Sequence, residues 1–217
     1  MQGVVIDGVA ASGKSTIIQH LNHKLIEESP WTSKFFLSEH YTQRVLEHLK
    51  DSHELTGHHV KSHIRDIIRT LELFQNMLEG SKFSKSPGEA DMFVILERFI
   101  LSYLTDSNFR NGYSIYEIKR DLSKLSFFGI KQVALILPED KIRDYIMSTI
   151  KYRNEKWSKY LNSIGSEKQI VKYYIDWQKK FKDNIKQFED TIETIVIENN
   201  DNNFDFYSQI IFNEVFQ

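Results

Sequence analysis

The sequence contains no cysteine, only three prolines and no long apolar run. The lack of cysteine excludes disulfides, thiolate metal sites and a cysteine nucleophile, and it fits a reducing compartment. No segment approaches the roughly 20 apolar residues that are needed to span a bilayer, so we expect no membrane association. The chain opens on a strand-like segment instead of a signal peptide. These absences together predict a cytoplasmic protein.

Neither sign of charge is in large excess: the formal net charge is −2, and acidic and basic residues are interspersed. A dedicated nucleic-acid binder usually carries a basic surface, so the composition disfavours a nucleic-acid partner. The apolar fraction of 41% is near the globular average. A chain of this length can bury one real core, which predicts a single domain over residues 1–217. The sequence leaves a homodimer open.

Apolar runs of strand length alternate with amphipathic helical patterns along the whole chain. The predicted strands are Gln2–Asp7, Lys34–Ser38, Met92–Leu96, Lys131–Leu137 and Thr194–Ile197. The predicted helices are Lys14–Glu28, Thr42–Lys50, Val60–Glu79, Ser114–Phe128, Lys141–Asn162, Ser166–Asp190 and a last one from about Asp205. Parallel strands need crossover connections, so this alternation predicts an α/β fold in which helices cover both faces of a parallel sheet.

A phosphate-binding loop is the most specific motif in the sequence. The segment GVAASGKS matches G-x-x-x-x-G-K-[ST] at every fixed position and lies between a predicted strand and a predicted helix. Glycines let backbone N–H groups curl around phosphate oxygens, and the helix adds the positive end of its dipole. Lys14 is expected to reach the β- and γ-phosphates, and the Ser15 hydroxyl to bind Mg²⁺. The predicted ATP-binding residues are Gly8, Ala11, Ser12, Gly13, Lys14, Ser15 and Thr16.

The third predicted strand ends in a carboxylate and a guanidinium, Glu97 and Arg98. Phosphoryl transfer needs a second carboxylate on the Mg²⁺ side and cationic groups around the moving phosphoryl group. Ligands of α/β sheets bind at this end of the strands. We therefore predict that Glu97 assists Mg²⁺ and that Arg98 is catalytic. The alternative is an ion pair that closes the strand.

Two further charged residues are candidates for catalysis. Glu39 follows the second predicted strand and would serve as a general base if the acceptor is a hydroxyl group, whereas an acceptor phosphate needs no base. Arg153 lies in a basic segment within a predicted lid of about residues 148–165 that could close over the triphosphate. A solvated loop carboxylate and a solvated helix face are the respective alternatives.

The long helix before the third strand carries the candidate acceptor residues. Phe74 would stack on a base, and Gln75 would hydrogen-bond to it. Arg65 and Arg69 lie on the same helix and would clamp an acceptor phosphate. Core packing alone is the alternative explanation for Phe74.

With these residues the chain resembles the thymidylate kinase and deoxynucleoside kinase group of P-loop enzymes. The segment IDGVAASGKST is similar to their phosphate loop, LERFILS to their acid–arginine motif and YRNEKW to their arginine lid. The resemblance implies a P-loop NTPase three-layer fold with a five-stranded parallel sheet. It also implies Mg-ATP as the donor and a deoxynucleoside or its 5′-monophosphate as the acceptor.

The two branches of this group leave different marks on the sequence. Phe99 after Arg98 resembles the thymidylate kinases, whereas the pair Phe74 and Gln75 resembles the base-reading pair of the deoxynucleoside kinases. Glu39 departs from both branches, because histidine follows it where both favour proline.

We predict an ATP-dependent phosphotransferase with a deoxynucleoside 5′-monophosphate as acceptor, on the strength of Arg65 and Arg69. A deoxynucleoside kinase that phosphorylates the 5′-hydroxyl is the alternative. A regulatory P-loop NTPase and a polynucleotide 5′-hydroxyl kinase are alternatives from other classes.

Overall fold

One parallel sheet organises the molecule. The computed structural model describes residues 1–29, 32–46, 56–80, 92–106 and 112–216. The strands are β1 (Gln2–Gly8), β2 (Ser33–Leu37), β3 (Met92–Glu97), β4 (Ile130–Ile136) and β5 (Thr194–Glu198). They form a five-stranded sheet in the order β2-β3-β1-β4-β5, and every pairing is parallel. The prediction of an α/β fold with a five-stranded parallel sheet is confirmed.

The described helices follow the predicted ones closely in most places. They are α1 (Lys14–Glu28), α2 (Glu39–Thr42), α3 (Gly57–Glu79), α4 (Ile100–Thr105), α5 (Ile115–Phe127), α6 (Ile142–Ser148), α7 (Glu155–Ile164), α8 (Glu167–Gln187) and α9 (Phe204–Phe216). Short 3₁₀ turns lie at Arg44–Leu46 and Thr149–Lys151. None of these described helices is long and apolar enough to cross a membrane.

Two predicted helices differ from the structure by more than a few residues at their ends, and one described helix has no predicted counterpart. The predicted helix Thr42–Lys50 is wrong in its described part, because α2 ends at Thr42 and a 3₁₀ turn follows, while residues 47–50 lie outside the described residues. The predicted helix Lys141–Asn162 is two helices, since Asn154 caps the start of α7 by accepting a hydrogen bond from the Trp157 amide. Helix α4 was not predicted.

The sheet is apolar on both faces because helices cover both. On one face Val4 and Ile6 of β1 pack in a core with α1 and α9. On the other face Val5 belongs to a core that includes α3, α4, α5 and α8. Successive side chains of a strand point to opposite faces, so β1 contributes to both cores. The polar groups at the carboxyl ends of β1 and β3 are thereby held on a rigid base.

An ion-pair network joins α3 to α5. Arg65 donates hydrogen bonds to Glu117 Oε1 at 2.9 Å and to Asp121 Oδ2 at 3.3 Å. Asp121 is buried and also accepts hydrogen bonds from Tyr113 and Arg120. The guanidinium group of Arg65 is thus held by two carboxylates, which Lys61 and Arg120 also contact.

Glu117 makes the stability of the fold depend on pH in the acid range. Hydrogen bonds from Ser114 and Arg65 lower the pKa of Glu117 from 4.5 to about 2. Because the folded pKa is the lower one, ionised Glu117 stabilises the fold above about pH 4.5, and this contribution is lost as the pH falls towards about 2. We expect Glu117→Gln to lose less stability than the wild type between about pH 6 and about pH 3, measured as urea midpoints. Glu189→Gln, at an exposed glutamate, is the control, and equal acid sensitivity of Glu117→Gln and wild type would contradict the prediction.

Candidate functional site

The loop between β1 and α1 has the backbone of a phosphate cradle. Gly8 has φ 149°, and a Cβ there would lie 2.1 Å from the Leu135 carbonyl oxygen. Gly13, directly before α1, has φ 94°. L-residues rarely adopt such conformations, so the loop needs glycine at both positions. Ala11 also has a positive φ, 64°, which is unfavourable for a residue with a side chain. The first N–H groups of α1 lack partners within the helix and face the loop.

The Lys14 ammonium group is folded over its own loop. Its Nζ donates hydrogen bonds to the Gly8 carbonyl at 3.1 Å and to the Val9 carbonyl at 2.9 Å. Lys14 is buried, and burial lowers its pKa to about 7, with the charge of Arg98 acting in the same direction. The ammonium group therefore lies inside the loop, where phosphate oxygens could replace the two carbonyls.

The predicted magnesium residues lie side by side. Ser15 Oγ donates to Glu97 Oε1 at 3.3 Å, although 82 positions separate the two residues in the chain. The other oxygen of Glu97 accepts a hydrogen bond from the Glu39 amide at 3.2 Å. Hydroxyl and carboxylate oxygens are the donors that Mg²⁺ prefers, and nucleotide-bound Mg²⁺ usually has one or two protein ligands. Ser15 and Glu97 fit that requirement.

Glu39 and Arg98 face each other beside this pair. Arg98 Nε lies 3.4 Å from Glu39 Oε2 as an ion pair, in a geometry that makes no hydrogen bond. Arg44 donates to the other oxygen of Glu39 at 3.1 Å. Burial would raise the pKa of Glu39, but the charges of Arg98, Lys14 and Arg44 hold it below its usual value. Glu39 is therefore ionised at neutral pH.

Two buried polar atoms without a hydrogen-bond partner lie in this site, those of Ser12 and Arg98. Among the described residues five such atoms occur: Gln2 Oε1, Ser12 Oγ, Gln43 Oε1, Gln75 Oε1 and Arg98 Nε. Buried polar groups in folded proteins nearly always have a partner. Ser12 belongs to the phosphate loop, Gln43 follows α2, Gln75 is a predicted acceptor residue and Arg98 faces Glu39. The open hydrogen-bonding capacity of Ser12 and Arg98 fits a polar ligand at this site.

The predicted lid arginine lies on an aromatic ring. Arg153 Cζ is 4.4 Å from the centroid of the Trp157 ring, and Trp157 is fixed by a 2.7 Å hydrogen bond from its Nε1 to Thr149. Burial raises the pKa of Tyr174, whereas the charges of Arg98 and Arg153 both lower it. The role of Arg153 in catalysis stays a prediction.

The predicted acceptor residues on α3 have different environments. Phe74 packs edge-on against Phe35 with ring centroids 5.0 Å apart, and Gln75 donates to Glu79 at 2.7 Å. Arg69 is exposed and pairs with Asp66 in the preceding turn. Arg65 is engaged by α5, as described above. The structure therefore brings Arg98 and Glu39 together with the phosphate loop, but it does not add Arg65 to them.

A loop after β5 supports the phosphate loop, and sequence reasoning missed it. Asn199 is buried and donates from Nδ2 to the Ser12 carbonyl at 3.2 Å. A Cβ on Gly13 would lie 2.3 Å from the Phe204 ring, so Phe204 is packed against the loop. The available signal was the polar run ENNDNN directly after a strand, at the same edge of the sheet as the phosphate loop.

We expect Asn199→Ala to loosen the phosphate loop. Loss of the bond to Ser12 should weaken Mg-ADP binding about 5- to 10-fold and lower the free energy of unfolding by about 1–2 kcal/mol. Asn200→Ala is the matched control, because the Asn200 side chain donates only to the Glu198 carbonyl among its described hydrogen bonds. Isothermal titration with Mg-ADP measures the effect. Equal affinities of the two variants would show that Asn199 does not support the loop.

Comparison with known proteins gives similarity at the level of the fold. No family model matches the chain, and no curated protein matches it. The YorR protein from Bacillus subtilis, crystallised with phosphorylated GDP, is 15% identical with a TM-score of 0.53, and the match covers 99% of this chain and 95% of YorR. A thymidylate kinase from Ehrlichia chaffeensis is also 15% identical, with a TM-score of 0.48 and coverage of 100% and 98%. The predicted three-layer fold with a five-stranded parallel sheet is confirmed as a fold that this chain shares with YorR.

Proposed function

We propose that this protein is an ATP-dependent phosphotransferase with a nucleoside or nucleotide acceptor. The observation that carries the proposal is the convergence of Lys14, Ser15, Glu97, Arg98 and Glu39 at the carboxyl ends of β1, β2 and β3. Transfer of a phosphoryl group requires this combination of a phosphate cradle, a metal-side carboxylate, a cation and a group that acts on the acceptor.

The phosphate loop and Lys14 would hold the donor. On binding ATP, Lys14 Nζ would exchange the Gly8 and Val9 carbonyls for phosphate oxygens. Ser15 and Glu97 would hold Mg²⁺, which supplies neutralisation of phosphate charge when it is bound. The buried Ser12 hydroxyl, which has no partner among the described residues, is a further donor for a phosphate oxygen.

Glu39 and Arg98 would act on the transfer itself. The acceptor oxygen forms a bond to the γ-phosphorus, the bond between this phosphorus and the β–γ bridging oxygen breaks, and ADP leaves. An acceptor hydroxyl must lose its proton in this reaction, and the ionised Glu39 would take it. Arg98 would stabilise the charge on the moving phosphoryl group while its ion pair with Glu39 keeps both groups in place.

A deoxynucleoside hydroxyl is the acceptor that this geometry favours. The sequence-based preference for a monophosphate depended on Arg65 and Arg69, and Arg65 is engaged in ion pairs with Glu117 and Asp121 of α5. An ionised Glu39 would serve a hydroxyl acceptor and repel an acceptor phosphate. The unpartnered Gln75 Oε1 would accept a hydrogen bond from the base, and the family resemblance supplies the deoxynucleoside class.

A deoxynucleoside 5′-monophosphate is the second candidate. Arg69 supports it, because its side chain is 72% exposed and its described ion-pair partner, Asp66, belongs to the same helix. Arg69 could therefore turn to a ligand at little cost. The complex of YorR with phosphorylated GDP is consistent with a nucleotide ligand in this fold.

The test is ADP release from Mg-ATP with each common nucleoside and each nucleoside monophosphate, with the product identified by mass. Purified Lys14→Ala protein, run in parallel, reports contaminating kinases. Phosphorylation of a nucleoside supports the favoured acceptor, and phosphorylation of a monophosphate alone supports the second. ATP binding without any product would reject a nucleoside or nucleotide acceptor in favour of a regulatory NTPase or a polynucleotide kinase.

A further inference from the structure

The backbone of Arg98 is held in an unfavourable conformation at the centre of the site. Arg98 has φ 58°, in the left-handed region, and it is one of three non-glycine residues with positive φ among the described residues. Residues with a Cβ avoid this region, and they keep it only where the surroundings impose it. One restraint is the hydrogen bond from the Arg98 amide to the Ile6 carbonyl at 2.9 Å. This restraint lies on the β3 side of the turn.

The restraint on the other side of the turn is the carboxylate of Asp7. Asp7 is fully buried at the end of β1, directly before the phosphate loop. Its Oδ2 accepts a hydrogen bond from the Phe99 amide at 3.4 Å, and its Oδ1 accepts one from the Ser102 hydroxyl. Phe99 follows Arg98, and Ser102 belongs to the first turn of α4. Ile6 and Asp7 thus fix the chain immediately before and after the Arg98 side chain.

Holding a turn with a buried carboxylate costs free energy, because the charged group loses its hydration. No cation forms an ion pair with Asp7 in the described ranges, although Lys14 and Arg98 are close enough to influence it. Burial raises the pKa of Asp7, while the bond from Ser102 and the charge of Arg98 oppose the rise. Such a group is expected where function, and not stability, requires it.

The turn determines where the Arg98 guanidinium lies. From this backbone the side chain reaches Glu39 at 3.4 Å and passes over the Trp177 ring, with Cζ 5.9 Å from its centroid. We propose that Asp7 is the positioning residue for Arg98: its bonds to Phe99 and Ser102 hold the left-handed turn that directs the guanidinium to the transferring phosphoryl group. This inference depends on the proposed phosphotransferase function for its kinetic consequence and on geometry alone for its structural one.

A double-mutant cycle on kcat tests the kinetic consequence. Asp7→Ala should lower kcat about 10- to 100-fold, with Mg-ATP affinity changed less than about threefold, because a small displacement of a catalytic group is costly. Combined with Arg98→Ala, the same change should lower kcat no further. Asp7→Asn should recover most of the activity, since its amide oxygen can accept from Phe99 and the Ser102 hydroxyl can reverse its bond. Losses that multiply in the double variant would overturn the proposal.

A smaller change covers the case in which Asp7→Ala does not fold. Ser102→Ala removes only the hydroxyl that Asp7 binds, and it should give a smaller loss of kcat that also disappears in the Arg98→Ala background. Melting temperatures are measured in parallel. A Ser102→Ala protein that melts earlier but keeps full kcat would assign Asp7 to stability alone and overturn the proposal.

Fluorescence separates failure of this inference from failure of the proposed function. In a protein with Trp31→Phe and Trp157→Phe, Trp177 is the sole tryptophan and reports the presence of Arg98 over its ring. Asp7→Ala should shift its emission in the same direction as Arg98→Ala does, whether or not any acceptor is found. Emission that is unchanged by Asp7→Ala but shifted by Arg98→Ala would overturn the positioning role. Absence of turnover in the wild type would count against the phosphotransferase only.

Discussion

Replacement of Lys14 by alanine is expected to abolish measurable Mg-ATP binding and to lower turnover by at least about 10³-fold. The ammonium group lies inside the loop, 3.1 Å and 2.9 Å from the two carbonyls that phosphate oxygens would replace. Without it, the loop itself would offer the triphosphate only backbone dipoles, and the carboxylates Glu39 and Glu97 beside the loop would be opposed mainly by Arg98. Isothermal titration with Mg-ATP and an assay for ADP measure the two effects.

The stability of Lys14→Ala is the second part of this prediction. A buried ammonium group with a lowered pKa stabilises the free protein little, so the variant should melt at or above the wild-type temperature. Lys24→Ala is the matched control on the same helix. The Lys24 Nζ donates a hydrogen bond to Gln209 Oε1 at 2.7 Å, and Gln209 is not part of the phosphate loop. A folded Lys14→Ala protein that still bound Mg-ATP would contradict the assignment of the phosphate loop.

Glu39→Gln is expected to lower kcat by about 10²- to 10⁴-fold while it leaves Mg-ATP affinity nearly unchanged. The amide keeps the size of the carboxylate and can still accept a hydrogen bond from Arg44, but it cannot take a proton from an acceptor hydroxyl. The measurement is steady-state kinetics with the acceptor that the substrate panel identifies. The control is Glu28→Gln, at an exposed glutamate at the end of α1.

The result of Glu39→Gln also decides between the two acceptor classes. An acceptor phosphate is already ionised, so a monophosphate kinase needs no base, and removal of the negative charge should improve its affinity for the acceptor. A variant with undiminished kcat and tighter acceptor binding would contradict the proposed hydroxyl acceptor. Arg69 would then be the candidate residue for binding the phosphate of a monophosphate acceptor.

The phosphate loop and the residues after β3 were predictable because their signals are local. Gly8, Gly13 and Lys14 match a motif whose spacing is set by the backbone of one loop. Glu97 and Arg98 follow a continuous apolar run, and the carboxyl ends of parallel strands meet at one edge of the sheet. The strand order places β3 next to β1, which is why Glu97 lies beside Ser15.

Tertiary contacts account for the helices that sequence patterns missed. All six residues of α4 are buried, so the segment lacks the polar stripe that marks an amphipathic helix. Helix α2 ends at Thr42 because this residue is hydrogen-bonded to both β3 and α4. The Thr42 hydroxyl donates to the Glu97 carbonyl, and the Thr42 carbonyl accepts from the Tyr103 hydroxyl at 2.8 Å. Neither partner is close in the sequence.

The acceptor side was less predictable because side-chain pairing is not local. Arg65 looks free on a helix pattern, yet its partners Glu117 and Asp121 come from a helix more than 50 positions away. Asp7 reads as one more residue of β1 until the structure shows Ser102 and Phe99 beside it. Asn199 likewise gains a function only when β5 has placed it next to Ser12.

The central position of β1 in the sheet has a consequence for biosynthesis. Both neighbours of β1 follow it in the chain, since Gly3 lies beside Val94 on one side and Ile130 on the other. A nascent chain must therefore carry β1 unpaired until β3 has left the ribosome and paired on one side only until β4 has followed, and Phe204 reaches Gly13 later still. During this interval the apolar β1 is exposed to non-native pairing.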